Sequence, residues 1–352
     1  MGRPKYSIVI PTYNHLNDFL KPCLQSIIQF TDLDKAEVIV VANGCVDATH
    51  QYVEALSHVY PSIKLIREKQ GIGYTKATNL GIKAAQGEYV VLLNNDTKLL
   101  DQPRNRWLDL LEEPFIRDPK VSVTGPLELY DKITQHHFIV FFCAMVPRHL
   151  FDELGLLDEI FSPGSAEDID FCIRGSLKGY KHYPVPGGPV TLASPKTFTG
   201  NFPIYHYAEG TFEHIEEYGN ITFKRNSLVN LKRYNKDIKL HLTLDHDNSL
   251  PAHIRVGNSK HSEVLLNWNC LDFDNNTVSE IALINSIERV TSVDLPEYIK
   301  EWHRVLKPGG KLVIVLMQVM TSNTITALTE GGFTVHGVQS FNEHKTFLHA
   351  SK

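Results

Sequence analysis

The chain reads as an α/β protein, with a mostly parallel sheet flanked by helices and a smaller α/β domain at its C-terminal end. Three observations carry that reading. Short apolar runs alternate with stretches of helical period over residues 1–100. Glycines and prolines mark the junctions between them. A second strand–helix–strand series follows a basic and then polar interval around Asn226–Asn248.

Each element has a local reason. Tyr6–Ile10 reads as a strand closed by Pro11, and Leu16–Phe30 is helical in period. Glu37–Val41 is a second strand and Ala48–His58 a helix; Ile63–Arg67 is a third strand and Tyr74–Ala85 a helix. Tyr89–Leu93, an apolar run between Gly87 and Asn94-Asn95-Asp96, is a buried fourth strand. Strands separated by helices of this length imply parallel pairing. Residues 121–225 are less regular, with strands at Val121–Gly125 and Phe138–Val146 and a helix around Asp168–Lys178. Pro184–Pro189 reads as a loop. The expected division is a first domain over residues 1–225, a linker or helical connection over 226–249, and a second domain over 250–352.

The bulk properties exclude several classes. The chain has 352 residues, enough for roughly two domains, and 42% apolar with 21% charged residues is an ordinary globular balance. A net charge of −5 gives no electrostatic footprint for nucleic acid or an anionic membrane. Cys23, Cys45, Cys143, Cys172 and Cys270 lack CxxC spacing and read as reduced, mostly buried thiols. The longest apolar run, Phe138–Val146, is far short of the ~20 residues of a membrane helix. Met1–Lys5 leads straight into a strand rather than a signal peptide, so a soluble cytoplasmic protein is expected.

The chemistry concentrates at Gly87–Thr97, GEYVVLLNNDT. Amide and carboxylate side chains at the carboxyl end of a buried strand lie where open α/β sheets bind ligands. Such oxygen donors suit Mg²⁺ or Mn²⁺, and that cation in turn suits a diphosphate; a plain Asn/Asp turn explains the same residues. Gly71 and Gly73 permit close backbone approach, and Lys76 either neutralises a phosphate or is a solvated helix lysine. Asp47, after the Asn43-Gly44 turn, is a helix N-cap or a site residue. Glu167 and Asp168 open a helix, where acids also suit the positive end of the dipole.

Four segments occur in order: SIVIPTYN (Ser7–Asn14), EVIVVANGCVDAT (Glu37–Thr49), NLGIKAAQGEYVVLLNNDT (Asn79–Thr97) and EDIDFCIR (Glu167–Arg174). Together they resemble the family 2 glycosyltransferases, inverting enzymes of the GT-A nucleotide-diphospho-sugar transferase fold, over roughly residues 5–225. The NND motif and a late histidine are similar to the rhamnosyltransferase-like subgroup. The resemblance implies a nucleotide-diphosphate sugar donor, Mn²⁺ or Mg²⁺, and a glycan, lipid-linked or protein-linked saccharide as acceptor, as in polysaccharide biosynthesis. It implies donor binding by Pro11, Thr12, Asn43, Asp47, Lys76, Asn79, Asn94 and Asn95. It also implies metal binding by Asp96 with His206, His214 being the fallback. An aromatic-flanked core or loop histidine is the other reading of His206. Asp168 takes the general base's place, Glu167 and Asp170 orient the acceptor or support the base, and Arg174 pairs with one of these acids. Two departures stand out: Ala42 replaces an aspartate that helps read the base, and Asn94 replaces the first metal-side acid.

From Glu280 onward, EIALINSIERV and LPEYIKEWHRVLKPGGKLVIVL resemble the latter half of class I S-adenosylmethionine-dependent methyltransferases. The expected elements are a strand at Ile281–Ile284, a helix at Pro296–Leu306, a Pro308-Gly309-Gly310 turn and a strand at Lys311–Leu316. The pattern continues over Ala327–Val335 and closes with a strand at His344–Ala350. His253–Asp274 offers only Val256-Gly257-Asn258 where such enzymes carry a glycine-rich cofactor cradle. A truncated domain without S-adenosylmethionine (SAM) is therefore expected, used for packing, homodimerisation or acceptor presentation. The other readings are a bifunctional glycosyl- and methyltransferase, or an inactive scaffold that binds nucleotide sugars or glycans.

Overall fold

The first strand, β1 (Tyr6–Thr12), is buried along its whole length, and β2 (Ala36–Asn43), β3 (Ile63–Glu68) and β4 (Tyr89–Leu93) build outward from it. β2 and β4 flank β1 and β3 pairs with β2, all parallel. The connections are α1 (Lys21–Phe30), entered through a π-helical turn at Leu16–Leu20, then α2 (Thr49–Val59) and α3 (Tyr74–Ala84). Helical crossovers return the chain to the same end of the sheet, which is why the pairing is parallel. These coordinates come from a computed structural model. It describes residues 3–352 apart from 187–188, 194–196, 200, 208–215, 244–249, 251–252, 258–261, 265, 285, 288–289, 291–292, 318–319 and 341–343.

Beyond β4 come β5 (Thr97–Leu99), α4 (Arg106–Arg117), β6 (Val121–Gly125) and the hairpin β7 (Glu128–Asp131)–β8 (His136–Ile139). They are followed by β9 (Cys143–Pro147), α5 (His149–Leu154), α6 (Glu167–Leu177) and β10 (Lys181–Pro184). The seven-stranded sheet has the order β10-β6-β9-β4-β1-β2-β3, with β9 antiparallel to β4 and β6. The fold is thus α/β with a mixed, mainly parallel sheet. A second sheet joins β11 (Pro189–Ala193), β12 (Thr197–Thr199) and β13 (Phe202–His206) to β5 in the order β12-β11-β13-β5.

The chain divides into two units, one of residues 1–131 and 135–222, the other of 132–134 and 223–352. The division falls inside α7 (Glu216–Tyr234) rather than in the polar interval after it. The second unit has its own six-stranded sheet. Its members are β14 (Ile238–Leu242), β15 (Ile254–Val256), β16 (Val278–Ile284), β17 (Leu306–Met317), β18 (Thr334–Ser340) and β19 (Lys345–Ser351), ordered β15-β14-β16-β17-β19-β18. The first four of that order are mutually parallel, and β19 runs antiparallel to both its neighbours. α8 (Leu295–Val305) and α9 (Thr321–Glu330) complete it, with Trp302 fully buried in the unit's core.

Four local expectations are corrected. β1 runs through Pro11 to Thr12, because β4 pairs with it only over Tyr6–Val9 and the missing proline N–H leaves no rung empty on that side. The expected strand Phe138–Val146 is broken at residues 140–142, whose backbone groups serve other partners described below. Pro308-Gly309-Gly310 is a bulge within β17 and not a turn before it: pairing jumps from Val278↔Leu306 to Glu280↔Lys311, with Gly309 at φ 72°. The pattern expected to continue over Ala327–Val335 is set earlier: its helix is Thr321–Glu330, and Gly331-Gly332 lead out of it into β18. Pro184 ends β10 and Pro189 starts β11, with 187–188 outside the described residues. Cys23, Cys45, Cys143 and Cys172 are buried free thiols and Cys270 an exposed one. Among the described residues, no helix is long and apolar enough to cross a membrane.

The core of the first unit requires close approach of α3 to the sheet at Gly81, where an added Cβ would sit 2.2 Å from Val9 Cγ1. Val9 is fully buried and β-branched, so it has little freedom to move aside. Gly81→Ala should gain about 1 kcal/mol of helix propensity and lose about 1–3 by overpacking. The expected net effect is lower stability, read as a reduced urea midpoint; an equal or higher midpoint would contradict the packing.

Candidate active site

The carboxyl ends of β1, β2 and β4 share one edge of the parallel sheet, and the side chains there are tied to one another. Asn95 Nδ2 donates to Thr12 Oγ1 at 2.9 Å, joining the ends of β4 and β1. Asn43 Oδ1 accepts from the Ile72 amide at 2.7 Å, and Gly44, at φ 75°, leaves no room for a Cβ against the Gly71 backbone. The β3–α3 loop is thereby laid over the end of β2. Pro11 is buried within β1, and Lys76 is exposed on the first turn of α3.

Asp96 lies just past the end of β4, and the chain turns at once into β5. β5 pairs antiparallel with β13, setting Thr97 opposite His206, while the Tyr207 amide donates to the Asp96 carbonyl at 3.0 Å. This register carries His206 Nε2 to 3.4 Å from Asp96 Oδ1. Both atoms are buried and lack a hydrogen-bond partner, as does Asn94 Oδ1 next to them in the chain. The imidazole is stacked on the Phe142 ring, with centroids 4.1 Å apart and planes 8° from parallel. Buried polar atoms are rarely left unpaired, so a cluster of them marks a place for something else.

Glu167 and Asp168 begin α6, after Ser165 and Ala166, two non-glycine residues in the left-handed region at φ 78° and 69°. Glu167 is buried, with Oε2 unpaired. Burial, then the charge of Asp168, drives the Glu167 carboxyl well above the ordinary range. Burial also raises Asp168, but amide hydrogen bonds from Ile169 and Phe141 to its carboxylate hold it lower. The pair titrates as a unit whose proton resides mainly on Glu167, leaving Asp168 ionised.

The acids on the two sides belong to one neighbourhood. Tyr74, the first residue of α3, has its phenol within the field of Glu167, Asp168 and Asp96 together. Its hydroxyl donates to the Phe141 carbonyl at 3.3 Å. The next residue, Phe142, accepts from the Asn94 amide at 2.8 Å and stacks on His206. Sequence reading missed Tyr74 and Phe142, since neither an aromatic after a glycine nor a Phe-Phe step carries a chemical signal.

Three residues expected at the site have partners in the surrounding structure. Asn79 uses its whole amide on the loop before α6: Nδ2 donates to the Leu157 carbonyl and Glu159 Oε1, and Oδ1 accepts from the Leu157 amide. Asp47 caps local turns, Oδ1 accepting from Thr49 and Oδ2 from the Leu16 amide; burial opposes its ionisation, but these bonds win and its carboxyl lies below the usual range. Asp170 is buried and pairs with Arg174 Nε at 2.8 Å, an i,i+4 bridge that braces α6. His214 lies outside the described residues.

Among the described residues, no three His, Cys, Asp or Glu side chains converge as a metal cage. Asp96 and His206 nevertheless fit a divalent cation of the Mg²⁺ or Mn²⁺ kind, which is held by one or two carboxylates together with substrate phosphates and water. A carboxylate oxygen and an imidazole nitrogen, both buried and unpaired, provide the protein's share of such a set.

Residues 7–137, which hold this sheet edge, match the Glycosyl transferase family 2 model. The segment is similar to Glycosyltransferase AglE of Haloferax volcanii, 31% identical over 30% of this chain and 34% of that one. It is also similar to the uncharacterized glycosyltransferase EpsJ of Bacillus subtilis, 33% identical over 38% of this chain and 41% of that one. The chain thus spans well under half the length of these curated relatives. Among solved structures, the mannosyltransferase PcManGT from Pyrobaculum calidifontis, in complex with GDP-Man and Mn²⁺, aligns with a TM-score of 0.48 at 19% identity. That alignment covers 66% of this chain and 64% of the other.

The raised Glu167 carboxyl has a consequence for stability. The folded chain keeps a proton that the unfolded chain releases above its reference pKa of about 4.3. The contribution of Glu167 is therefore complete below that value and is lost as pH rises through its higher folded-state pKa. Glu167→Gln should gain stability relative to the parent between about pH 5 and about pH 8, measured by urea unfolding at both. A gap that stays constant would show that Glu167 ionises freely.

Proposed function

We propose that the N-terminal unit transfers a sugar from a nucleotide-diphosphate donor to a hydroxyl of a glycan-type acceptor, with inversion at the anomeric carbon. The observation that carries the proposal is the Asp96–His206 couple at the sheet edge, both facing atoms without a hydrogen-bond partner, linked through Phe142 and Phe141 to Asp168. When bound, Mn²⁺ or Mg²⁺ supplies Lewis acidity towards the departing diphosphate. Asp96 and His206 hold that ion, and the ends of β1 and β2, at Thr12 and Asn43, face the nucleoside. Lys76, exposed at the start of α3, neutralises phosphate charge. Asp168 takes the proton from the acceptor hydroxyl as its oxygen attacks the sugar face opposite the leaving group. Glu167, holding its own proton, keeps a second negative charge out of the acceptor pocket.

For the C-terminal unit we propose packing or acceptor presentation without methyl transfer. What supports this is Gly257, where an added Cβ would sit 2.4 Å from the Thr243 carbonyl oxygen, a close approach that strand packing by itself requires.

The test is transfer with a panel of nucleotide sugars, with and without Mn²⁺. Asp168→Asn should lower transfer by about 10²–10⁴-fold while nucleotide-sugar binding stays within about threefold of the parent. His206→Ala should abolish the Mn²⁺-dependent rise in thermal stability. Donor binding with no turnover under any condition would leave a nucleotide-sugar-binding scaffold as the reading, which the Asn94 and Ala42 departures favour.

A further inference from the structure

Tyr74 touches both sides of the site. Its backbone amide donates to the Pro163 carbonyl at 2.5 Å, and Ser162 Oγ donates to the Ile72 carbonyl at 3.0 Å, so the α3 entry and the loop before α6 are fastened together. Gly73 makes this possible: at φ 86° an added Cβ would fall 2.5 Å from Ser162 Oγ and 2.6 Å from Pro163 Cα. The Tyr74 hydroxyl then reaches across to the Phe141 carbonyl.

We infer that Tyr74 is a positioning residue for sugar transfer, its phenol holding the Phe141–Phe142 step that fixes Asp168 on one side and His206 on the other. The inference rests on the transfer reading given above. The geometry is a short relay of contacts. The Phe141 carbonyl accepts from Tyr74 while the Phe141 amide donates to Asp168. The Phe142 carbonyl accepts from Asn94, and its ring orients the His206 imidazole. One phenol thus restrains a peptide that faces both halves of the reaction. Burial and the three surrounding acids keep the phenol protonated, so it acts as a neutral donor and neither as a base nor as a ligand.

A residue that only fills space would affect stability and leave the kinetic pattern intact. Tyr74→Phe retains the ring and the amide bond to Pro163 and removes only the hydroxyl. In the full chain with Mn²⁺, kcat should fall by about 10–100-fold with donor KM within about threefold, the signature of lost orientation. The groups facing Asp168 are Glu167 on its own helix, Asp131 of β7 and Tyr74 of α3. Loosening the Phe141 amide removes a stabiliser of the ionised form, so the acid limb of the rate profile should move to higher pH. Should Tyr74→Phe fail to fold, Tyr74→His, whose shorter ring cannot reach the Phe141 carbonyl, should show the same loss of kcat. Unchanged kcat and acid limb in folded Tyr74→Phe would overturn the inference. A parent chain without transfer would instead overturn the functional reading. In that case the Asp168 carboxyl, titrated by ¹³C NMR, still decides: an upward move in Tyr74→Phe supports the positioning role, and no move refutes it.

Discussion

The site depends on a break in a β-strand. An apolar run from Phe138 to Val146 has the composition to form one continuous strand, yet it splits into β8 and β9 around Phe141 and Phe142. The two peptides at the break give up ladder bonds and take others, from Tyr74, from Asn94 and to Asp168. Because buried backbone groups must find partners, this exchange is favourable only while all three remain in place. The break therefore converts ordinary strand sequence into a junction between the metal-side edge of the sheet and the acid pair of α6.

Electrostatics at the junction work against the fold and in favour of chemistry. Glu167 and Asp168 start a helix, where the dipole welcomes negative charge, but burial dominates and raises both carboxyls. Ser165 and Ala166 hold left-handed backbone immediately before them, at a cost of order 1–3 kcal/mol each. Strain and desolvation are supported by the rigid surroundings. Asn79 clamps the Leu157–Glu159 segment, and Arg174 binds Asp170 together with the Leu154 and Leu156 carbonyls. These contacts keep the acids where they are.

Much of the sheet was legible because its signals are local. Tyr89–Leu93 has a glycine before it and three polar side chains after it, and the observed strand has those same bounds. Val121–Gly125 coincides likewise, and helices α2, α3 and α6 lie within one or two residues of their expected spans. What escaped was relational. Nothing in Asn79 distinguishes an amide that binds a donor from one that clamps a loop, since the choice depends on Leu157, far along the chain. Asp47 shows the same ambiguity, resolved by the Leu16 amide. The PGG segment has turn chemistry, and only pairing with β16 and β19 makes it a bulge. The junction of Tyr74 with Phe141 needed three dimensions to be seen.

The shortness of β5 gives the site an unusual sensitivity to chain length. Three residues, paired antiparallel with β13, decide which face of that strand the imidazole occupies. Side chains alternate along a strand, so shifting the pairing by one would send His206 to the far side. Substitutions within Thr97–Leu99 leave this measure intact, whereas one inserted or deleted residue after Asp96 resets it. The tripeptide acts as a ruler, and descendants of this chain are free to change its letters but not its length.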